Sequence, residues 1–407
     1  MAATPQCACG VKSPDPRERI YDIYFDNNAT TKLSLNVLRQ MNEVYTNFDA
    51  NPSSLHFHGK SCRSDVQRSR IEMLGLLDAD LQNSTLIFTS GCTEANNTII
   101  KGVLANHPKA VLITTPIEHD SVLNVARSED YIVEYLKVDK LGYVDEQHLR
   151  HLCRKHASKD VVLVSIIAGQ NEIGTIQPCA RLLSIIRSET GALVHIDATQ
   201  LIGKYAVSVR STLGDPDFVT GSAHKFHGPK GVGFLYTRDA VMLPHLVKPL
   251  IHGGGQEMHM RSGTENVAGI VGMVYALGES MSQTTATETK VRHMRDWIYE
   301  SLVSNLGKNV VVPNGDLRHG LYNTLNITVM YTGEHNLAWL LDAEGICVSS
   351  ASACTKMKGS HVLKIIGVSD VDARKTIRIS LSGYNTQKEC EAFVRYVTWL
   401  YFNVLNK

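Results

Sequence analysis

The sequence predicts an α/β protein: a large domain built on a mostly parallel sheet, followed by a smaller α+β domain. Three observations point there. From Ile23 to about Arg238, short β-rich runs alternate with segments of helical periodicity, the pattern of strand–helix–strand units. The run Val161–Ala168 is almost continuously apolar, as expected of a strand covered on both faces. After Gly253-Gly254-Gly255 the pattern changes to a long helical stretch and then to a second, shorter mix.

The elements follow in order. Residues 1–20 hold Pro5, Pro14, Pro16, Asp15 and Glu18 and no apolar core. They read as a flexible tail, not as a signal or transit peptide, on a protein expected in the cytoplasm. Cys7 and Cys9 form a lone CxC without further ligands at zinc-like spacing, so no metal site is expected. Strands are predicted at Ile23–Asp26, Thr85–Thr89, Ala110–Thr115, Ile132–Val138, Val161–Ala168, Leu193–Ala198, Phe218–Gly221 and Gly231–Tyr236. Helices are predicted between them at Thr93–Asn106, Val144–Lys155 and Cys179–Glu189. The stretch Asn266–Leu306 reads as mostly helix, with few Gly and no Pro. Beyond it come strand Thr324–Val329, helix Glu334–Glu344, strands Cys347–Ser349 and Ile377–Leu381, and a final helix at Gln387–Leu405. The expected organisation is a large domain over 21–270 and a small one over 271–407.

Composition narrows the function. The 407 residues are 43% hydrophobic and 20% charged, ordinary globular usage. Lys plus Arg number 41 against 40 Asp plus Glu, so no charge excess points to nucleic acid or an acidic membrane surface. No apolar run reaches the ~18 residues of a membrane span. Nine irregularly spaced cysteines fit reduced thiols better than a disulfide framework.

Polar clusters stand at the carboxyl ends of predicted strands, where open α/β sheets bind ligands. They are Thr89-Ser90-Gly91-Cys92-Thr93, Glu118-His119, Asn171-Glu172, Asp197 and Ser222-Ala223-His224-Lys225. The first opens a helix and suits a phosphate, but lacks the downstream Gly-Lys-Ser/Thr of a nucleotide loop. Lys225, just past a strand end, can form a Schiff base with a carbonyl cofactor if burial lowers its proton affinity. Pyridoxal phosphate requires such a lysine, a carboxylate opposite its ring nitrogen and a phosphate cup. Asp197, at the previous strand end, can be that carboxylate. Cys354 follows a run of small residues and precedes a polar stretch with Lys356, Lys358 and Gly359. This composition predicts a mobile, exposed loop whose lysines favour the thiolate. Cys153 and Cys347 read as buried and inert, and Cys62, Cys179 and Cys390 as structural.

The motifs together resemble the cysteine desulfurase family of pyridoxal-phosphate enzymes, class-V aminotransferases close to selenocysteine lyase. The matching stretches are Tyr24–Thr31, Asn51–Ser54, Phe88–Glu94, Glu118-His119, Gln170–Gly174, His195–Gln200, His224-Lys225, Gly253–Glu257, Arg261–Asn266 and Ser349–Thr355. The resemblance implies the aspartate-aminotransferase-type fold (fold type I) with a seven-stranded sheet. It implies that Lys225 carries pyridoxal 5'-phosphate and moves protons, that Asp197 pairs with the ring nitrogen, and that Gln200 bonds the ring hydroxyl. His119 would stack on the ring; Thr93, Ser222 and His224 would bind the phosphate, with Cys92 a small residue beside it. Thr264 would reach the phosphate of a second copy, which implies a homodimer with shared sites. Asn171, beside the cofactor, and Arg378 would hold the substrate carboxylate.

The activity so implied converts L-cysteine to L-alanine, with the sulfur passing to Cys354 as a persulfide and on to an acceptor protein, as in iron–sulfur cluster biogenesis. Selenocysteine lyase, acting on L-selenocysteine, is the close alternative: Glu118-His119-Asp120-Ser121 resembles that lyase, whereas Ser349–Thr355 is more similar to the desulfurases; another aminotransferase-type reaction is the more distant one. The chain departs from the family at Ala50, Gln170, Ala351 and Ser382-Gly383, and its Cys354 loop is about two residues shorter than the family's housekeeping type. These departures bear on the acceptor rather than on the chemistry.

Overall fold

The structure is a computed structural model and describes residues 21–47, 50–107, 109–128, 131–158, 162–350 and 359–406. The N-terminal tail with its CxC, and the stretch 351–358 with Cys354, lie outside the described residues.

The chain opens with strand β1 (Ile23–Tyr24) and helices α1 (Leu35–Thr46) and α2 (Phe57–Leu76). The alternating region then runs β2 (Thr85–Thr89), α3 (Cys92–Asn106), β3 (Val111–Thr114), α4 (Asp120–Arg127), β4 (Ile132–Tyr135) and α5 (Glu146–His156). It continues β5 (Val162–Ile167), α6 (Cys179–Glu189), β6 (Leu193–Asp197), β7 (Phe218–Ser222) and β8 (Gly233–Thr237). These form one seven-stranded sheet in the order β2-β8-β7-β6-β5-β3-β4. Only β8 runs against its neighbours β2 and β7. The register pairs Ile167 with Asp197 and Asp197 with Thr220. The carboxyl ends of β5, β6 and β7 therefore meet at one edge.

Alternation along the strands gives the sheet two apolar faces. Val111 and Ile113 join a core with Met73, Val164, Ile196 and Met273, whereas Leu112 joins Ile99, Leu163, Phe218 and Leu235 on the opposite face. Every residue of β2, β3, β5, β7 and β8 is buried, the condition under which a near-continuous apolar run is stable as a strand.

Past α7 (Leu243–Leu246), the predicted helical stretch is two helices, α8 (Val267–Ser282) and α9 (Thr284–Leu306). The break falls at Gln283, whose N–H bonds back to Ser280 and Met281 carbonyls. The remaining elements are β9 (Val311–Asn314), β10 (Thr324–Val329), α10 (Leu337–Ala343), β11 (Ile346–Cys347), β12 (Ser349–Ser350), α11 (His361–Ile365), α12 (Asp370–Ala373), β13 (Thr376–Ser380) and α13 (Gln387–Leu400). The predicted final helix thus loses its α pitch at Leu400 and continues as a wider π turn over Tyr401–Leu405. Strands β12-β13-β10-β9 make an antiparallel sheet. Cys347 is half-buried rather than buried, whereas Cys62, Cys153, Cys179 and Cys390 are buried as expected. No helix among the described residues is long and apolar enough to cross a membrane.

A second apolar core unites Val291, Ile298, Leu325, Ile327, Ile377, Ile379 and Phe393 with Ile23 and Phe25 from the chain's start. The link is β1, which pairs in parallel with β11. Its continuation, residues 26–31, is drawn between the two cores: Asn27 N–H bonds Ser380 O, and Thr31 N–H bonds His224 O.

Candidate active site

The site forms where the 26–31 loop crosses the strand ends. Asn28 is its hub. Its carbonyl accepts from Lys225 Nζ at 2.6 Å and from Gln200 Nε2 at 3.0 Å, and its side-chain amide donates to Asn171 O at 3.1 Å. Arg378 Nη1 donates to that same Asn171 carbonyl at 3.0 Å, while Nη2 reaches Asp26 Oδ1 at 2.5 Å. Lys225, Gln200, Asn171 and Arg378 are thereby gathered around two backbone carbonyls.

Lys225 sits on the short turn after β7. Burial first, and then the Arg378 guanidinium, push its amine down to about 8. A larger share of free amine is therefore available near neutrality than for an ordinary lysine.

Asp197 ends β6 and is buried. It accepts from Asn96 Nδ2 at 2.9 Å and from the Thr199 N–H at 3.1 Å. Burial opposes its charge, but these bonds outweigh it, and the carboxyl stays below its usual range. His195, next to it on β6, is held neutral by burial, which pushes it down to about 4.

Asn96 extends the network. Its other contacts are Ser121 Oγ at 2.9 Å and Thr220 Oγ1, which donates to its Oδ1 at 2.6 Å. Ser121 in turn faces His119 Nδ1 at 2.8 Å, and the Ser121 N–H donates to that nitrogen at 3.1 Å. An imidazole nitrogen that accepts a backbone N–H carries no proton, so the neutral His119 ring bears its hydrogen on Nε2. Glu118, behind it, takes bonds from Thr115 and the Ile167 N–H. Burial pushes its carboxyl up to about 8, which keeps it neutral at pH 7.

The Thr89–Thr93 segment closes the other side. Cys92 is buried, accepts from Thr199 Oγ1 at 2.8 Å, and its thiol is pushed up by burial and by Asp197. It is a space-filling thiol here, not a nucleophile. A Cβ on Gly91 would stand 3.5 Å from Ser222 Oγ, which puts the loop and the β7 end side by side. At Gly233, facing them, a Cβ would come within 2.7 Å of Gly91 Cα, so only glycine fits. His224 Nδ1 meets Thr30 Oγ1 at 3.1 Å; burial and then nearby lysines push this imidazole down to about 4. Thr93 is exposed on the first turn of α3, and Thr264 is exposed on the turn before α8.

Eight of the expected residues thus converge: Lys225, Asp197, Gln200, His119, Asn171, Ser222, His224 and Arg378, with Cys92 beside them. Thr93 stands at the rim, Thr264 faces outward, and Cys354 lies outside the described residues. Sequence reasoning assigned no role to Asn28, Asn96, Ser121 or Lys204. Asn96 carried a signal, being a polar residue one turn after Cys92 on a helix face otherwise filled by Ala95, Ile99 and Ile100. Asn171 Oδ1 and Arg378 Nε are buried without a hydrogen-bond partner among the described residues. Such groups are costly unless something polar meets them. An ionised acid, a lysine that gives up its proton more readily than usual, a glycine-lined cradle and two unmet polar groups fit a phosphate-bearing aldehyde cofactor together with an anionic substrate.

Comparison with known proteins agrees. The family model described as aminotransferase class-V matches residues 23–393. A cysteine desulfurase of Nostoc sp. is 36% identical over 91% of this chain and 91% of its own. The cysteine desulfurase NifS of Azotobacter vinelandii is 34% identical over 92% of each. Among solved structures, a NifS-like protein superposes with a TM-score of 0.83 at 35% identity, covering 93% of this chain and 99% of its own. One titled SspA in complex with cysteine gives 0.74 at 30% identity, covering 89% and 100%. The gathered strand-end cluster and these matches lead to one conclusion: the chain belongs to the class-V aminotransferase family, in its branch of cysteine desulfurases and NifS-like proteins.

Proposed function

We propose that the protein is a pyridoxal-phosphate-dependent cysteine desulfurase that releases L-alanine from L-cysteine and hands the sulfur through Cys354 to an acceptor protein. The observation that carries this reading is the Lys225 amine, pushed down to about 8, bonded to the Asn28 carbonyl, and within the electrostatic reach of an ionised Asp197. When bound, the cofactor supplies an electron sink for bonds at the amino-acid carbon. Lys225 would hold it covalently. Asp197 would keep the ring nitrogen protonated, and Gln200 would offer N–H to the ring hydroxyl. Thr93, Ser222 and His224 would cradle the phosphate against Gly91, and Thr264 would serve the site of a second copy in a homodimer.

The chain's own groups divide the remaining work. Arg378 Nε and the Asn171 amide would hold the substrate carboxylate, a planar task that suits a guanidinium. Lys225, once displaced, would take and return the proton at the substrate Cα. His119, with its hydrogen on Nε2, would face the cofactor ring and exchange protons on that side. The Cys354 thiolate would attack the substrate sulfur. An S–S bond forms as the Cβ–S bond breaks, its electron pair stays with carbon, and protonation there completes alanine.

The test is alanine formation by the holoenzyme. L-cysteine should yield alanine, and Cys354→Ala should abolish that yield while keeping the visible absorbance of the Lys225-bound cofactor. Alanine formation at an unchanged rate in Cys354→Ala would overturn the thiol's role. Fast turnover of selenocysteine beside negligible turnover of cysteine would reassign the enzyme as a selenocysteine lyase.

A further inference from the structure

The Lys225 amine rests on two successive backbone carbonyls of the 26–31 loop. Nζ donates to Asn28 O at 2.6 Å and to Ala29 O at 2.9 Å. Both carbonyls belong to a turn, in which the Ala29 N–H returns to Asp26 O at 3.0 Å. The turn is fixed from outside. Asn28 is 1% exposed. Its N–H donates to Ser380 Oγ at 2.9 Å, its Nδ2 to Thr324 Oγ1 at 2.8 Å, and its Oδ1 accepts from Asn323 Nδ2 at 3.0 Å. On the far side the Thr31 N–H bonds His224 O at 2.9 Å. The two carbonyls are therefore set in place without help from a ligand.

This seat suits a base. A neutral amine has two hydrogens and one lone pair. With both hydrogens on the carbonyls, the lone pair is left on the side away from the loop, free to receive a proton. Once protonated, the ammonium has three donors. Two stay on the carbonyls, and those bonds become charge-assisted and roughly twice as strong. The carbonyls thus favour the charged form, against burial and then Arg378, which push Lys225 down to about 8. Cys92, Asp197 and Asp26 also face Lys225 and act in the opposite sense to Arg378. Lys204 and His224 stand close enough to be pushed down by burial and then by Lys225 itself.

We propose that the Asn28 and Ala29 carbonyls are the seat of the displaced Lys225 amine: they take its two hydrogens, leave its lone pair for the substrate Cα proton, and stabilise the ammonium that results. In that step the Cα–H bond breaks, its electron pair stays with the substrate, and the proton joins the Nζ lone pair. The return step gives back that third hydrogen while the other two remain on the loop. The proposal rests on the reading of Lys225 as the cofactor-bearing lysine.

The test replaces single amides by esters in the full chain, through in vitro translation with the matching α-hydroxy acid, so every side chain is kept. Replacement at Ala29 turns the Asn28 carbonyl into an ester carbonyl, a weaker acceptor; replacement at Thr30 does the same to the Ala29 carbonyl. Replacement at Lys32 alters the Thr31 carbonyl of the same loop and is the control. The first readout is the pH dependence of reductive methylation at Lys225 in cofactor-free protein, with formaldehyde and cyanoborohydride as the probe and mass spectrometry as the detector. Each of the first two esters should lower the midpoint by about half a unit, a threefold loss of proton affinity, and the control should not. The second readout is exchange of the L-alanine Cα hydrogen for solvent deuterium by the holoenzyme, at a pH of about 9 where the amine is free in every form. It should slow about twofold or more. An unmoved midpoint, an equal shift in the control, or undiminished Cα exchange overturns the proposal. A lower melting temperature with the midpoint in place would mean that the carbonyls only hold the loop, and overturns it too. Unaltered protein that shows no visible absorbance with added cofactor would refute the cofactor reading instead, and the methylation readout would still judge the two carbonyls.

Discussion

At the scale of single residues, the site works by controlling where protons sit. Lys225 is pushed down by burial and Arg378, Glu118 is pushed up by burial, and Asp197 stays ionised against its burial because Asn96 and Thr199 bond it. The Lys225 shift has a sign that can be tested. Below its value of about 8 the amine is protonated and cannot attack an aldehyde; above it the amine is free. The rate at which cofactor-free protein recovers visible absorbance on mixing with pyridoxal phosphate should therefore rise with pH and level off above about 8; a rise centred above 10 would refute the assigned burial effect. Asp197 gives a second test. Asn96→Ala removes one of its hydrogen bonds in a buried place, and hydrogen bonds to charged groups contribute about 1.5–3 kcal/mol. That loss should appear in urea unfolding of the cofactor-free protein, together with weaker retention of the cofactor on dialysis. The polar residues at strand ends were legible in the sequence because ligand sites in parallel sheets occur there. Asn96 and Ser121 were not, because each meets the site by bonding another side chain, Asp197 and His119, and only the folded contacts reveal that.

At the scale of elements, the segment between β8 and α8 is under strain, and a buried ion pair restrains it. Glu257, Met258 and His259 have φ of +50°, +56° and +64° in succession, a left-handed turn without a glycine. Each such residue costs on the order of 1–3 kcal/mol. Against this, Glu257 takes two bonds from Arg70, at 2.7 and 2.9 Å, and one from the Phe88 N–H at 2.7 Å. The Arg70 guanidinium also lies 4.9 Å from the Phe88 ring centroid. The turn thereby delivers Arg261 to Glu94 at 2.9 Å, across the opening of α3. Arg70→Met leaves the Glu257 carboxylate buried and unpaired, which should cost about 3–5 kcal/mol, read as a lower urea midpoint; a change below 1 kcal/mol would show that the pair does not hold the turn. None of this pairing could be read from sequence, since Arg70 and Glu257 lie far apart on α2 and a loop. The strands were legible from their apolar runs, as at Thr85–Thr89, whose predicted and observed limits coincide. Helices α1 and α2 escaped because their buried positions are sparse: α1 buries only Val37, and α2 interleaves Arg and Ser with its apolar residues. The break at Gln283 carried neither Gly nor Pro, the residues that announce a helix end.

At the scale of the whole molecule, the two apolar cores are joined by the chain's own beginning, and this junction bears on substrate binding. Phe25 is fully buried in the second core and meets the Phe393 ring edge-on at a centroid distance of 5.7 Å. Its carbonyl accepts from the Ser380 N–H at the end of β13, the strand that carries Arg378. The next residue, Asp26, bonds Arg378 directly, and Asn28 sits two positions further on. The groups expected to hold the substrate carboxylate thus hang from a hydrophobic anchor in one core, while Lys225 and Asp197 hang from the sheet over the other. Loss of the anchor should loosen one side of the site relative to the other. Phe25→Ala removes a buried aromatic ring, at about 3–5 kcal/mol, so the urea midpoint should fall. The KM for L-cysteine should rise more than kcat falls, because Arg378 loses its fixed partner Asp26, whereas Asp197, which would hold the cofactor ring, keeps Asn96 and Thr199. The visible absorbance of the bound cofactor should be unchanged for the same reason. Equal losses in kcat and KM with a bleached cofactor would mean that the anchor supports the entire site, and that the two cores behave as a single unit rather than as two bodies joined at the 26–31 loop.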